Sequence, residues 1–189
     1  MLHSGPVQPF YFLGNSTGPW LIKTSTAIIG APIPEAERVT VSGGIHSPLQ
    51  EENQWIFKGV VSNHRYTNRD EKESLVAVQE GLNRPQATCA AMILIKKSEA
   101  WWELPQDERR AILEQQSEHI KTGMKYLPAI ARKLYHSRDL GESIDFITWF
   151  EFAPEHEKDF NALVAELRKT REWEFVEREI DIRMVKETV

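Results

Sequence analysis

His119 and Arg132 stand thirteen positions apart, and together they are the residue types needed to hold a metal and a small anion side by side. Ile112, Gln116, His119, Ile120 and Gly123 recur at three- and four-residue spacing, which predicts that the imidazole lies on one face of a helix. Pro105 opens that helix, with Asp107 and Glu108 in its first turn. A haem iron needs only one protein ligand, and its sixth position then stays open for substrate. A guanidinium is a fixed positive fork suited to an anion. Lys97 and the pair Trp101 and Trp102 lead into the helix. Each of these residues has an ordinary role when read alone. A helical histidine is commonly a satisfied core or surface residue, Arg132 beside Lys133 reads as a solvated basic face, and paired tryptophans serve cores and interfaces. Their joint occurrence is what suggests a haem protein that handles a small anion.

The other chemistries have little support. The chain has no C-x-x-C pair, no H-E-x-x-H and no P-loop. Gly14-Asn15-Ser16-Thr17-Gly18 spells the serine-hydrolase elbow, but that motif needs a helix after it, and here Pro19 and an extended Trp20-Leu21-Ile22 follow. The single Cys89 lies in an apolar run and reads as a small buried hydrophobe, so no intrachain disulfide is expected. The net charge is -5, which disfavours nucleic acid or an anionic membrane as a partner. An anionic substrate would therefore need a local positive site. Neither a signal peptide nor an apolar run of membrane-spanning length is read, and a cytoplasmic protein is the expectation.

The elements that position these residues follow from periodicity. Phe10–Leu13, Trp20–Ile29, Trp55–Val61, Ala87–Ile95, Phe146–Phe152 and Phe175–Val185 read as strands, the last with Ile180, Ile182 and Met184 inward. Asn68 with Glu71 predicts a capping box, followed by a helix with Leu75, Val78 and Leu82 on one stripe. Pro154 opens a second helix whose stripe is Phe160, Leu163, Val164 and Leu167. Ser74-Leu75-Val76-Ala77 matches Ala162-Leu163-Val164-Ala165, a degenerate repeat of strand, helix and strand. Two antiparallel sheets with helices on one face, an α+β architecture, are the predicted result. Gln79 falls where the second helix has Leu167, so it sits either at the edge of its stripe or against a polar cavity. Between the halves, Leu127-Pro128 ends the His119 helix, and a short helical segment over Ala129–Tyr135 is predicted to carry Arg132.

Lys96-Lys97-Ser98-Glu99-Ala100-Trp101-Trp102, His119, Arg132, the run Asp145-Phe146-Ile147-Thr148-Trp149-Phe150-Glu151 and Thr170-Arg171-Glu172-Trp173 resemble chlorite dismutase, in particular its short-chain branch. The likeness covers most of the chain after about Gln54. It implies two ferredoxin-like halves forming a dimeric α+β barrel: residues 1–98 as a truncated N-terminal half and 99–189 as a C-terminal half carrying haem b. It implies His119 as the iron ligand and Glu172, or alternatively Glu174, as the acceptor for the other imidazole nitrogen. Lys97 would contact the proximal side or a haem propionate, and Trp101 would line the pocket. Arg132 would be the distal residue, with Gln79 as its hydrogen-bond partner. The implied reaction converts chlorite to chloride and dioxygen, with Arg132 retaining a hypochlorite-level fragment. A homodimer is implied, with haem and chlorite or another small anion as partners. The rival readings are a coprohaem decarboxylase of the same fold, a non-catalytic haem-binding protein, and a dimeric α+β interaction module.

Overall fold

A computed structural model describes residues 8–44, 53–62, 69–78 and 80–187. Eight strands are found among them: β1 (Phe10–Asn15), β2 (Trp20–Ile29), β3 (Arg38–Gly43), β4 (Trp55–Val61), β5 (Cys89–Lys97), β6 (Ala131–His136), β7 (Phe146–Phe152) and β8 (Val176–Lys186). They close into one antiparallel barrel in the order β1-β3-β2-β8-β5-β7-β6-β4, with β4 returning to β1. The two sheets expected from the sequence are thus edges of one continuous surface. Closure removes the unpaired edges that two open sheets would leave.

Strand alternation sends one set of side chains into the barrel and the other outward. Phe12, Trp20, Trp55, Met92, Leu94, Ile147, Trp149, Ile180, Ile182 and Met184 form the inner core. The inward set expected on β8 is borne out, with Ile180, Ile182 and Met184 all buried. Outward residues of β5 and β7, including Ala91, Ile93, Ile95, Phe150 and Phe152, form a second core. Helix α5 (Glu157–Leu167) covers it with Phe160, Leu163, Val164 and Leu167, the stripe read from the sequence. Pro154 begins a 3-10 turn that feeds α5. Each fully buried large apolar side chain of this kind contributes roughly 1.5–3 kcal/mol.

Three expectations change. β3 was not foreseen, although Val39 and Val41 alternate within it. On α1 (Arg69–Val78), Leu75 is buried but Val78 is 43% exposed, because the helix has a shorter buried face than the stripe implied. Cys89 is only partly buried, since it starts β5 instead of lying within it, and burial still raises its thiol above the ordinary value. The proposed cap residue Asn68 lies outside the described residues. Gly14-to-Gly18 is a strand-to-strand turn in which Asn15 Oδ1 accepts from the Thr17 N–H at 2.8 Å, as the dismissal of a hydrolase elbow requires.

Candidate active site

His119 does not lie within a long helix. After α2 (Glu99–Glu103), α3 spans Gln106–Arg110, a π-helical turn spans Ala111–Gln116, and the chain then breaks before α4 (His119–Met124). Glu118 takes φ +47, the left-handed region, at the break. A non-glycine residue there costs on the order of 1–3 kcal/mol, and surrounding bonds must enforce it. Two are in place. The Glu114 carboxylate accepts from the backbone N–H of Ile120, and Ser117 Oγ accepts the Glu172 N–H at 2.9 Å. The break puts His119 at the first position of α4, on the wall of a cavity of about 1160 Å³.

The cavity is lined by outward residues of β5 and β7, by helix residues, and by Trp20, Tyr135 and Trp149 of the inner core. Ile93, Ile95, Leu113, Leu134, Phe146 and Leu167 supply apolar walls. Its polar groups include Lys97, His119, Arg132 and Glu172. The His119 Nδ1 lies 2.6 Å from Glu172 Oε2, and Lys97 Nζ donates to Glu172 Oε1 at 2.7 Å. Lys97 and Glu172 are both buried, at 2% and 6% exposure, so each needs the other. Burial alone would push the Glu172 carboxyl up. The charges of His119 and Lys97 and their hydrogen bonds outweigh it and bring the carboxyl down to about 2. Lys97 Nζ also sits 4.5 Å over the Trp101 ring. Trp101 lines the cavity. Glu174, the other acid considered, is exposed and pairs with Arg171.

Arg132 is on strand β6, not on the short helix expected. Ala-rich local propensity favours helix there, but the segment pairs with β7, Arg132 opposite Phe150, and tertiary pairing prevails. Alternation puts Arg132 on the outward face with Phe150 and Tyr135 in the inner core, and both side chains line the cavity. The guanidinium lies against Gly123 of α4, where an added Cβ would meet Nη1 at 3.4 Å. Burial lowers the pKa of Arg132, and the Glu114 charge opposes that. Ahead of β6, Arg84 donates to the Pro128 and Ala129 carbonyls at 3.1 and 2.8 Å. Gln79 lies outside the described residues.

The sequence reading assigned no role to several residues that shape this site. Asp145 accepts from the Lys97 N–H at 2.7 Å and from Trp102 Nε1 at 3.1 Å, fixing the end of β5 and the second tryptophan together. Trp173 stacks beside the His119 ring, with centroids 6.5 Å apart and planes at 21°. Ser117 and Glu114 had no signal, because neither the helix break nor the π-helical turn is marked by Gly or Pro. Among the described residues, no group of three or more His, Cys, Asp or Glu side chains is placed to hold a bare metal ion. The arrangement is one imidazole, oriented by a carboxylate, on a large and mostly apolar cavity.

The fold is shared with known proteins. A dimeric chlorite dismutase from Nitrobacter winogradskyi is 49% identical, with a TM-score of 0.88, covering 94% of this chain and 99% of that one. A variant chlorite dismutase from Candidatus Nitrospira defluvii shares the fold at a TM-score of 0.71 and 20% identity, over 95% of this chain and 92% of that one. A curated chlorite dismutase of Ideonella dechloratans is 40% identical over 62 residues, 33% of this chain and 20% of the relative's length. The chain thus spans about a fifth of that relative in alignment. The chlorite dismutase family model matches residues 48–187. The chain belongs to the chlorite dismutase family.

Proposed function

We propose that this protein is a haem b-dependent chlorite dismutase, in which His119 binds the iron and Arg132 holds the anion. The observation that carries the reading is the Lys97–Glu172–His119 chain, which ends on a cavity that Arg132 also lines. The residues present fit a haem. The cavity volume of about 1160 Å³ exceeds the roughly 300–1,000 Å³ of common ligand pockets. Its walls are apolar, and the single imidazole has Nδ1 engaged by a carboxylate, which leaves Nε2 as the ligating nitrogen. Lys97, Trp101 and Glu172 support that side, and Gln79 is assigned as the partner of Arg132. A bound haem would supply redox and Lewis-acid chemistry toward chlorite.

The rest of the task falls to the chain. Glu172 holds the Nδ1 proton, fixes the ring and makes the imidazole a stronger donor. Lys97 balances the buried carboxylate so that it stays ionised. Arg132 offers charge-assisted hydrogen bonds to chlorite and to the hypochlorite-level fragment left after the first bond breaks. In a partly dry cavity this attraction is stronger than in water. It also supplies the local positive charge that a chain of net charge -5 needs to draw in an anion. The products, chloride and dioxygen, account for every atom of chlorite, and no proton has to be stored.

The strand order supports two ferredoxin-like halves that divide before β5 (Cys89–Lys97), ahead of the division after residue 98 expected from the resemblance. β4-β1-β3-β2 is one run of neighbours and β6-β7-β5-β8 the other, with helices between β5 and β6 and between β7 and β8 in the second run. A homodimer is proposed on the likeness to the dimeric Nitrobacter winogradskyi enzyme. No helix among the described residues is long and apolar enough to cross a membrane, which says nothing of a membrane β-barrel. The deciding experiment adds haem, records the Soret band, then adds chlorite under an oxygen electrode. A shifted Soret band and one dioxygen per chlorite are expected. A mass loss from bound coprohaem on peroxide addition, with no oxygen from chlorite, would instead establish a decarboxylase.

A further inference from the structure

The outward face of β8 breaks a rule that the rest of the barrel keeps. Where β5 and β7 present apolar side chains to α5, β8 presents Glu179 and Asp181, at 1% and 5% exposure. Two buried carboxylates cost several kcal/mol each in desolvation, on the order given for ions after relaxation, unless their oxygens are bonded. Here the bonds are made. Arg168, just past the end of α5, donates to Glu179 Oε1 through Nε at 2.8 Å and Nη2 at 2.6 Å, and to Asp181 Oδ2 at 2.8 Å. Arg183 donates to both oxygens of Asp181, at 2.5 and 2.9 Å. The remaining oxygen of Glu179, Oε2, accepts from Trp173 Nε1 at 2.8 Å.

That last bond leads back to the site. Trp173 follows Glu172 directly, on the 3-10 turn Arg171–Phe175. Its ring lies nearly parallel to the His119 imidazole, and Lys97 Nζ is 5.6 Å above it. Glu172 fixes one atom of the imidazole. A single hydrogen bond still allows the ring to swing about the axis through that atom. A flat ring alongside, held by its own tether, removes this freedom. An apolar residue at position 179 would pack under α5 without desolvation cost but would leave the indole N–H without this acceptor.

We propose that Glu179 is a positioning residue for His119. Anchored by Arg168, it holds the Trp173 indole nearly parallel beside the imidazole and so sets the ring plane in which Nε2 faces the cavity. The inference deepens the proposed haem site and rests on it. It also has a consequence in the haem-free protein, where the Nδ1 proton shared with Glu172 should give one sharp downfield NMR signal.

The test compares wild type with Glu179→Gln and Trp173→Phe. The second variant keeps the Arg168–Glu179–Asp181 bonds and replaces the tethered indole with a smaller untethered ring, so a folding defect in the first does not end the experiment. In the haem-free protein, the downfield His119 signal is expected to broaden or double in both variants. With haem added and the iron reduced, resonance Raman should give one iron–histidine stretching band in wild type and a split or shifted band in both variants. A purely structural role would lower the melting midpoint and leave these signatures unmoved. A wild type with no iron–histidine band overturns the haem reading, and the NMR comparison still decides the positioning role. Unchanged NMR and Raman signatures in both variants overturn the inference about Glu179.

Discussion

His119 and Arg132 line the same cavity but are held in opposite ways. His119 stands at the start of a six-residue helix entered through a left-handed Glu118, so its backbone gives little rigidity. Side chains must supply it: Glu114 and Ser117 at the helix break, Glu172 and Lys97 at the ring edge, Trp173 beside the ring face. Arg132 is the second residue of a six-residue strand, where ladder bonds to β7 fix its backbone. Arg84 pins the approach by two carbonyls. A ligand held for the life of the protein suits the wired side. An arginine that must meet a small anion suits a stem fixed by the strand ladder.

The largest effect should come from His119→Ala. Among the described residues no other histidine lines the cavity, so stable haem binding is expected to be lost, read as absence of a shifted Soret band at micromolar haem. A normal Soret band would transfer the ligand role to another residue and undo the comparison. Arg132→Ala should leave the Soret band in place. Loss of a charge-assisted bond is worth about 1.5–3 kcal/mol, so the oxygen released before the haem bleaches should fall roughly 10- to 100-fold. Hypochlorite trapped in solution should rise in step. Oxygen yield and bleaching at wild-type levels would show that the arginine does not retain the fragment.

Glu172→Gln tests whether the wired side depends on charge. Removing the carboxylate leaves Lys97 buried with no anion, and breaking a buried pair costs roughly 3–5 kcal/mol. The pH dependence has a definite sign. The carboxyl falls to about 2 in the folded protein, against about 4.3 in an unfolded chain. Its stabilisation is therefore fully present above the unfolded value and is lost as pH drops through the folded one. Acid unfolding of the haem-free wild type should steepen between those two values, and Glu172→Gln should remove that part of the curve. Identical acid profiles would mean that Lys97 and His119 do not depend on this carboxylate.

The contrast also explains what could be read from the sequence. The strand and helix stripes were legible wherever burial repeats with a fixed period, as in Ile180, Ile182 and Met184 or Phe160, Leu163, Val164 and Leu167. Family-specific residues were legible as a spaced set. Arg132 lies on a strand and not on the expected helix because Ala129–Tyr135 has helical local preference, while its strand state comes from pairing with β7, where it stands opposite Phe150. The break before His119 was invisible for a related reason. It is enforced by Glu114 and Ser117 reaching other segments, not by a glycine or proline at the break. Glu179 could have been noticed, since an acid on the outward face of a strand under an apolar helix stripe breaks the pattern.

Gly123→Ala probes the point where the two sides touch. The new Cβ would stand 3.4 Å from Arg132 Nη1 and 3.6 Å from Cζ, ordinary contact distances that ask the guanidinium to give little. Glycine in a helix costs roughly 0.5–1 kcal/mol relative to alanine, so the substitution should leave the melting midpoint level or slightly raised. If Arg132 has a movable head on a rigid stem, the head shifts and chlorite turnover falls less than about threefold, a barrier change under about 1 kcal/mol. The Soret band and the iron–histidine stretch should not change. A loss as deep as that of Arg132→Ala would mean that the guanidinium is locked in one pose, and that the arginine side is built as tightly as the histidine side.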